Sequence, residues 1–243
     1  MIQKLLLTLI FLSFNLYADA FDDAVKAYRN GDKQKAVKLL SKACDSNNMK
    51  TCLNLGNLYN DGDGVKQNKQ KAVKLYTKAC DGNFMSACYN LGNAYNYGDG
   101  VRQDKQKAAK LYTKACDGND MDGCSNLGLL YDNGYGVKQD KRKATKLYTK
   151  ACDGNNMNAC YNLGILYENG DGVRQNKQKA LKFWTKACDG NIMSACNNLG
   201  IMYNDGNGVR QNKRTAKEYY GKACDGGINK GCNNYRKLNE QGY

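Results

Sequence analysis

The residues in this chain best placed to do chemistry are twelve cysteines, at 44, 52, 80, 88, 116, 124, 152, 160, 188, 196, 224 and 232. They fall in six C-x7-C pairs, and each pair recurs after 36 residues. A fixed period of this length marks a repeat architecture, and an even, regularly spaced cysteine set points to an oxidising compartment. Three chemistries could use such thiols. Redox catalysis normally uses C-x-x-C, which is absent. A zinc site would need four thiolates from two pairs lying far apart in sequence. Disulfides need only local reversal of the chain, and the simplest pairing is Cys44–Cys52, Cys80–Cys88, Cys116–Cys124, Cys152–Cys160, Cys188–Cys196 and Cys224–Cys232. No metal and no cofactor is expected.

Other catalytic groups are scarce. There is no His, so acid–base work near neutral pH falls to shifted carboxylates, Tyr or Lys, and His-ligated metals are excluded. No Ser is followed three residues later by Lys, and S-D-N and K-T-G are missing, so a serine enzyme of the penicillin-recognising type has no motif here. The catalytic residue is therefore unknown. Gly-Asp-Gly segments such as Asp61-Gly62-Asp63-Gly64 suggest calcium, but they lack the closing Glu of an EF-hand loop and their acids vary between copies. Turn chemistry accounts for them better.

The elements that must carry these residues are helices. In one copy, Cys88, Leu91, Gly92 and Tyr95 recur at i, i+3, i+4, i+7 and share one helix face. Ala108, Leu111, Tyr112, Ala115 and Cys116 do the same on a second helix. Asp104 stands where an N-cap opens that second helix, and Asn68, Asp140, Asn176 and Asn212 hold the equivalent place. Pro is absent, so turns fall to Gly, Asn and Asp. Gly98 and Gly100 allow the turn between helices, and Gly118 the turn into the next copy. Five helix pairs are expected at 49–84, 85–120, 121–156, 157–192 and 193–228, preceded by a shorter hairpin at 21–48. A capping helix over 229–243 closes the array, with Tyr235-Arg236 in place of Leu-Gly. Glycines 56, 92, 128, 164 and 200 lie inside helices, where each costs about 1 kcal/mol against Ala, so close approach by a neighbour is expected at each.

Residues 1–20 read as a cleaved signal peptide: a basic start, an apolar run from Leu5 to Leu16, and Ala18-Asp19-Ala20. No transmembrane span follows, and the mature chain is expected in the periplasm or outside the cell. The net charge of +14 favours anionic partners, although a solvated Lys-rich face is the plainer reading, and export argues against nucleic acid.

The copy containing Ala87, Asn90-Leu91-Gly92, Tyr95, Gly98-x-Gly100-Val101, Asp104, Lys107-Ala108, Tyr112 and Ala115 resembles the Sel1-like repeat, a relative of the tetratricopeptide repeat. With the C-x7-C pairs and the leader, the chain resembles the Helicobacter cysteine-rich protein family. That resemblance implies an all-α, right-handed α-solenoid of disulfide-stapled αα-hairpins, exported from the cell. It also implies β-lactam binding or weak β-lactamase activity, with no shared catalytic motif to place on numbered positions.

One further recurrence is Asn54, Asn90, Asn126, Asn162, Asn198 and Asn234, two residues after each second cysteine. Two residues turn a helix by about 200°, so these amides lie beside the packing stripe and not on the cysteine face. In related tetratricopeptide arrays an Asn at this place binds the backbone of an extended peptide, for which an amide offers both donor and acceptor. A structural role, satisfying a neighbouring helix, fits equally well. Specificity would come from two varying rows: Leu53, Tyr89, Ser125, Tyr161, Asn197, Asn233, and Asn57, Asn93, Leu129, Ile165, Ile201. A methionine ladder at 49, 85, 121, 157 and 193 reads as core filler before it reads as a binding strip.

The reading is a monomeric binding scaffold for a peptide or protein segment, or for a peptidoglycan-related ligand. A weak β-lactamase is the alternative from another class, and a structural spacer of the envelope a third.

Overall fold

The computed structural model describes residues 21–243, and the expected leader over 1–20 lies outside the described residues. Every element within them is helical. The chain folds as two compact units, one up to Asp120 and one from Met121 on. The first holds α1 (21–29), α2 (Lys33–Asp45), α3 (Met49–Asp61), α4 (Lys69–Asp81), α5 (Met85–Tyr97) and α6 (Lys105–Asp117). The second holds α7 (Met121–Asn133), α8 (Lys141–Asp153), α9 (Met157–Asn169), α10 (Lys177–Asp189), α11 (Met193–Asp205), α12 (Lys213–Asp225) and α13 (Asn229–Glu240). From α3 onward the helices pack as hairpins, α3 on α4 through α11 on α12, and successive hairpins stack within each unit. The fold is an all-α array of paired helices.

Local chemistry sets the ends of each hairpin. The side chains of Asp32, Asn68, Asp104, Asp140, Asn176 and Asn212 each accept the backbone N–H three residues on, capping the second helix of each pair. Gly62, Gly98, Gly170 and Gly206 end first helices at φ between 71° and 80°, the left-handed conformation that avoids a Cβ clash. The turn into the next copy departs from expectation. Gly118 sits at φ −84°, and the left-handed residue is Asn119, at φ 64°. Asn tolerates that region because its short polar side chain bonds locally. Gly118 is required for another reason: a Cβ there would run into the side chain of Met85. Met49, Met121, Met157 and Met193 pack in the same way over Gly82, Gly154, Gly190 and Gly226, so the methionine ladder is packing.

The interior glycines have an equally specific partner. A Cβ on Gly56, Gly92 or Gly128 would lie 2.6, 2.6 and 2.8 Å from the rings of Tyr76, Tyr112 and Tyr148, and Trp184 and Tyr220 press on Gly164 and Gly200. What approaches is an aromatic side chain of the paired helix. Around this contact lie fully buried alanines such as Ala108, Ala115, Ala144 and Ala151.

Hairpins are joined covalently. Disulfides link Cys44–Cys52, Cys80–Cys88, Cys152–Cys160, Cys188–Cys196 and Cys224–Cys232, with Cα–Cα distances between 4.4 and 4.9 Å. Cys116 and Cys124 are disulfide-bonded as well, and no described cysteine is free. A lysine reinforces the joints: Lys78, Lys114 and Lys186 donate to the carbonyls of Cys44, Cys80 and Cys152 at 2.6–2.7 Å, which places a cation on the last turn of the preceding copy's second helix.

Two outcomes follow. Gly92→Ala gains helix propensity yet loses stability by about 1–3 kcal/mol in urea unfolding, because the Tyr112 ring has nowhere to go. A Cys80→Ser, Cys88→Ser pair lowers stability by about 2–3 kcal/mol, the loop-closure entropy of a short loop. An unchanged urea midpoint for either protein would remove the corresponding argument.

Candidate functional site

The recurrent Asn row lies half-buried on the first helix of each pair. In the unit ending at Asp120 it is tied into a network. Asn90 Nδ2 donates to Asn57 Oδ1 at 3.1 Å, and the same oxygen accepts Tyr76 Oη at 2.8 Å. Tyr112 Oη donates to Asn93 Oδ1 at 2.6 Å in the next copy. One amide of the ladder thus supports a neighbouring helix. Asn57, Tyr76, Asn90 and Asn93 line a cavity of about 210 Å³ with Asn60, Ala94 and Asp99. Asn54 lines a larger one, about 550 Å³, bounded by Phe21, Ala24, Val25, Leu40 and Leu58. Its walls are mainly apolar, with Asp61 and Asp63 at the rim.

In the unit beginning at Met121 the same face has a different chemistry. Leu129, Ile165 and Ile201 occupy the places of Asn57 and Asn93, and Leu129 and Ile201 are 42% and 39% exposed. Tyr148 therefore loses the amide that held its counterparts, and its buried hydroxyl is left with Asn162 as its polar neighbour, in poorer geometry. Trp184 replaces Tyr in the following copy and donates Nε1–H to the carbonyl of Tyr161 at 3.1 Å. Asn198 and Asn234 form no side-chain hydrogen bond with another described residue, and Asn234 lines a cavity of about 130 Å³ with Asn204, Tyr220, Lys237 and Gln241. Asn126 is engaged by a neighbour.

The two varying rows part company. In the row through Leu53 and Tyr89, Ser125 and Asn197 are each only 7% exposed, Leu53, Tyr89 and Tyr161 are half-buried, and Asn233 is exposed. This row lies one residue, about 100° of helix, from the Asn row and at Ser125 and Asn197 meets the paired helix. The row through Leu129 and Ile201 is the one presented to solvent.

The core tyrosines are poor nucleophiles. Burial pushes Tyr76 and Tyr148 well above the ordinary phenol range and Tyr220 up to about 12, the opposite of what an activated phenolate needs. The loop acids have partners as well. Lys33, Lys69 and Lys141 bridge Asp63, Asp99 and Asp171 of the following copy at 2.5, 2.5 and 2.7 Å, which accounts for acids that a calcium reading would otherwise claim. Among the described residues no group of three or more His, Cys, Asp or Glu side chains could hold a metal ion. A set of contacts that sequence reading missed joins Lys71, Lys107 and Lys143 to Tyr59, Tyr95 and Tyr131, with Nζ 2.6 Å from each hydroxyl and 4.0–4.2 Å from each ring centre. Their invariant twelve-residue spacing was the available signal.

The Sel1 repeat pattern matches residues 23–48, 50–84, 86–120, 122–156, 158–192 and 194–228. The chain belongs to the Sel1 repeat family. Its Sel1 repeats are disulfide-linked. The chain resembles a Helicobacter pylori protein named "Putative beta-lactamase HcpD", 42% identical over 48 residues, which make up 20% of this chain and 16% of that protein. Among solved structures, a protective antigen of uropathogenic Escherichia coli, c5321, aligns with a TM-score of 0.86 at 25% identity over 95% of this chain and 50% of its own. A Sel1 repeat protein from Oxalobacter formigenes aligns at 0.79, with 27% identity over 91% of this chain and 98% of its own. The chain thus spans half of the antigen and a small part of HcpD. No helix among the described residues is long and apolar enough to cross a membrane. The disulfides suit an oxidising, extracytoplasmic setting.

The hydroxyl arithmetic is testable by urea unfolding. Tyr76→Phe removes a satisfied hydrogen bond and leaves Asn57 with less to hold, costing about 1 kcal/mol. Tyr148→Phe removes a buried hydroxyl that makes no well-formed hydrogen bond and is neutral or stabilising. Equal losses in the two variants contradict the assignment.

Proposed function

We propose that this Sel1 repeat protein is an exported scaffold that binds an extended peptide or protein segment across the Asn-bearing helix faces of neighbouring hairpins within one unit. The observation that carries this is the state of the amide row: half-buried side chains, held in place by packing, with donors or acceptors still unspent at Asn54, Asn198 and Asn234. A side-chain amide matches a peptide group in both hydrogen-bonding senses, so a row of them reads backbone irrespective of sequence. Rigid helices carry the row, so little ordering entropy opposes binding. The expected leader over residues 1–20 and the disulfides together support a periplasmic or secreted location.

A second reading, β-lactam hydrolysis, is favoured by the likeness to HcpD. The residues give it little support, since no S-x-x-K motif is present and the buried tyrosine hydroxyls are held protonated.

Selection of random linear peptides displayed on phage against the oxidised protein supplies the test. Asn162→Ala, Asn198→Ala and Asn234→Ala, all within the unit beginning at Met121, are each expected to weaken selected peptides by about fivefold, one net hydrogen bond apiece, with unchanged circular dichroism. Affinities untouched by all three changes would sink the reading. Sustained turnover of a chromogenic cephalosporin that survives repurification would transfer the case to the hydrolase.

A further inference from the structure

A cavity of about 770 Å³ opens in the unit beginning at Met121, between α10, the end of α11 and the connection into α12. Its walls include Gln178, Leu181, Tyr203, Val209, Arg210 and Asn212, and no member of the Asn row. The volume falls within the range of small-ligand sites.

One change between copies uncovers this place. Twelve residues after Tyr59, Tyr95 and Tyr131 stands a lysine whose Nζ lies 2.6 Å from the hydroxyl and over the ring. Lys179 lies 4.9 Å from the Tyr167 ring centre in the same way. In the fifth copy that residue is Thr215, which is too short to reach over a ring. Tyr203 keeps Tyr219 stacked on it at 5.7 Å between centres, but its hydroxyl forms no hydrogen bond with another described residue.

The charge at the cavity is of one sign. A basic residue follows the loop valine in each copy, at Lys66, Arg102, Lys138, Arg174 and Arg210. Arg210 is exposed and forms no ion pair with another described residue. No Asp or Glu lines the cavity, while Lys182, next to Leu181, and Lys213, next to Asn212, add to the positive field. Asn212 Oδ1 is spent on the Thr215 N–H, which leaves its Nδ2 as a donor, and the Gln178 amide is unspent. The walls therefore offer a guanidinium, two amides and a phenol around the carbon of Leu181, Val209 and the Tyr203 ring.

We propose that this cavity binds an acidic saccharide, a sugar unit bearing a carboxylate on its ring. Arg210 takes the carboxylate in the two-pronged geometry that a guanidinium allows. Gln178, Asn212 and Tyr203 Oη meet ring hydroxyls, which donate and accept as an amide or a phenol does. The C–H face of the sugar lies against Leu181, Val209 and Tyr203. A bare anion would use Arg210 and leave most of the cavity empty. The site is separate from the peptide-binding reading and stands or falls without it.

The probes are trigalacturonic acid, its full methyl ester, sodium sulfate and a blocked Gly-Glu-Gly peptide, titrated by calorimetry against the oxidised protein. The ester keeps the sugar and removes the charge. The acid is expected to bind about tenfold more tightly than the ester, and more tightly than sulfate or the peptide. Arg210→Gln brings the acid down to the level of the ester. Tyr203→Phe weakens acid and ester alike by about fivefold, one net hydrogen bond. Arg174→Gln removes the same charge from the preceding copy and changes neither. Equal affinity for acid and ester, a loss in Arg174→Gln as large as in Arg210→Gln, or no saccharide binding overturns the site. A Glu peptide that binds more tightly than the acid overturns the saccharide in favour of an acidic protein.

Discussion

Everything in this molecule rests on an aromatic ring seated where its partner helix has no Cβ. Tyr76 on Gly56, Tyr112 on Gly92, Tyr148 on Gly128, Trp184 on Gly164 and Tyr220 on Gly200 set the distance between the two helices of a hairpin. The contact holds the hairpin closed and carries each ring's polar tip through to the opposite face. There a tyrosine hydroxyl meets whatever the first helix offers at the residue after the glycine. Packing and surface chemistry are therefore coupled through a single side chain, and a change at one position of the first helix decides whether that tip is satisfied.

That coupling explains how the two units differ while sharing one repeat. With Asn57 and Asn93 the tyrosine tips are bonded and the amides are partly spent inward. With Leu129 the Tyr148 tip loses that amide, with Ile165 the Trp184 tip turns to the Tyr161 carbonyl, and the face gains exposed carbon at Leu129 and Ile201. The repeat tolerates both because the ring stays in its notch. Stability in stacked repeats is roughly a sum of local terms, so one copy can carry an unsatisfied group without unfolding the array.

Much of this was legible in the residues. Helix ends could be read because Asp and Asn caps and glycine termini act within a few residues of themselves. The cysteine arithmetic revealed the period for the same reason. Interactions between copies were harder to see. Gly118 was read as a turn residue because its sequence neighbours suggest one, but its constraint comes from Met85, 33 residues earlier. Ser125 and Asn197 belong to a varying row read as setting specificity, and the burial of these two members becomes visible only with the paired helix in place. The amide row was visible as a recurrence, but whether an amide is spent depends on residues in the adjacent copy.

The disulfides have a mechanical consequence. Each joins the second helix of one copy to the first helix of the next, so the link bypasses the connection between hairpins and leaves each hairpin itself uncrosslinked. When the chain is pulled from its ends, the short connections stay closed. The extensible parts are the hairpins, such as the 27 residues between Cys52 and Cys80, each releasing roughly 90 Å of contour when it opens. Force would then be dissipated in separate, equal steps between covalent nodes, as in a chain of springs with locked couplings.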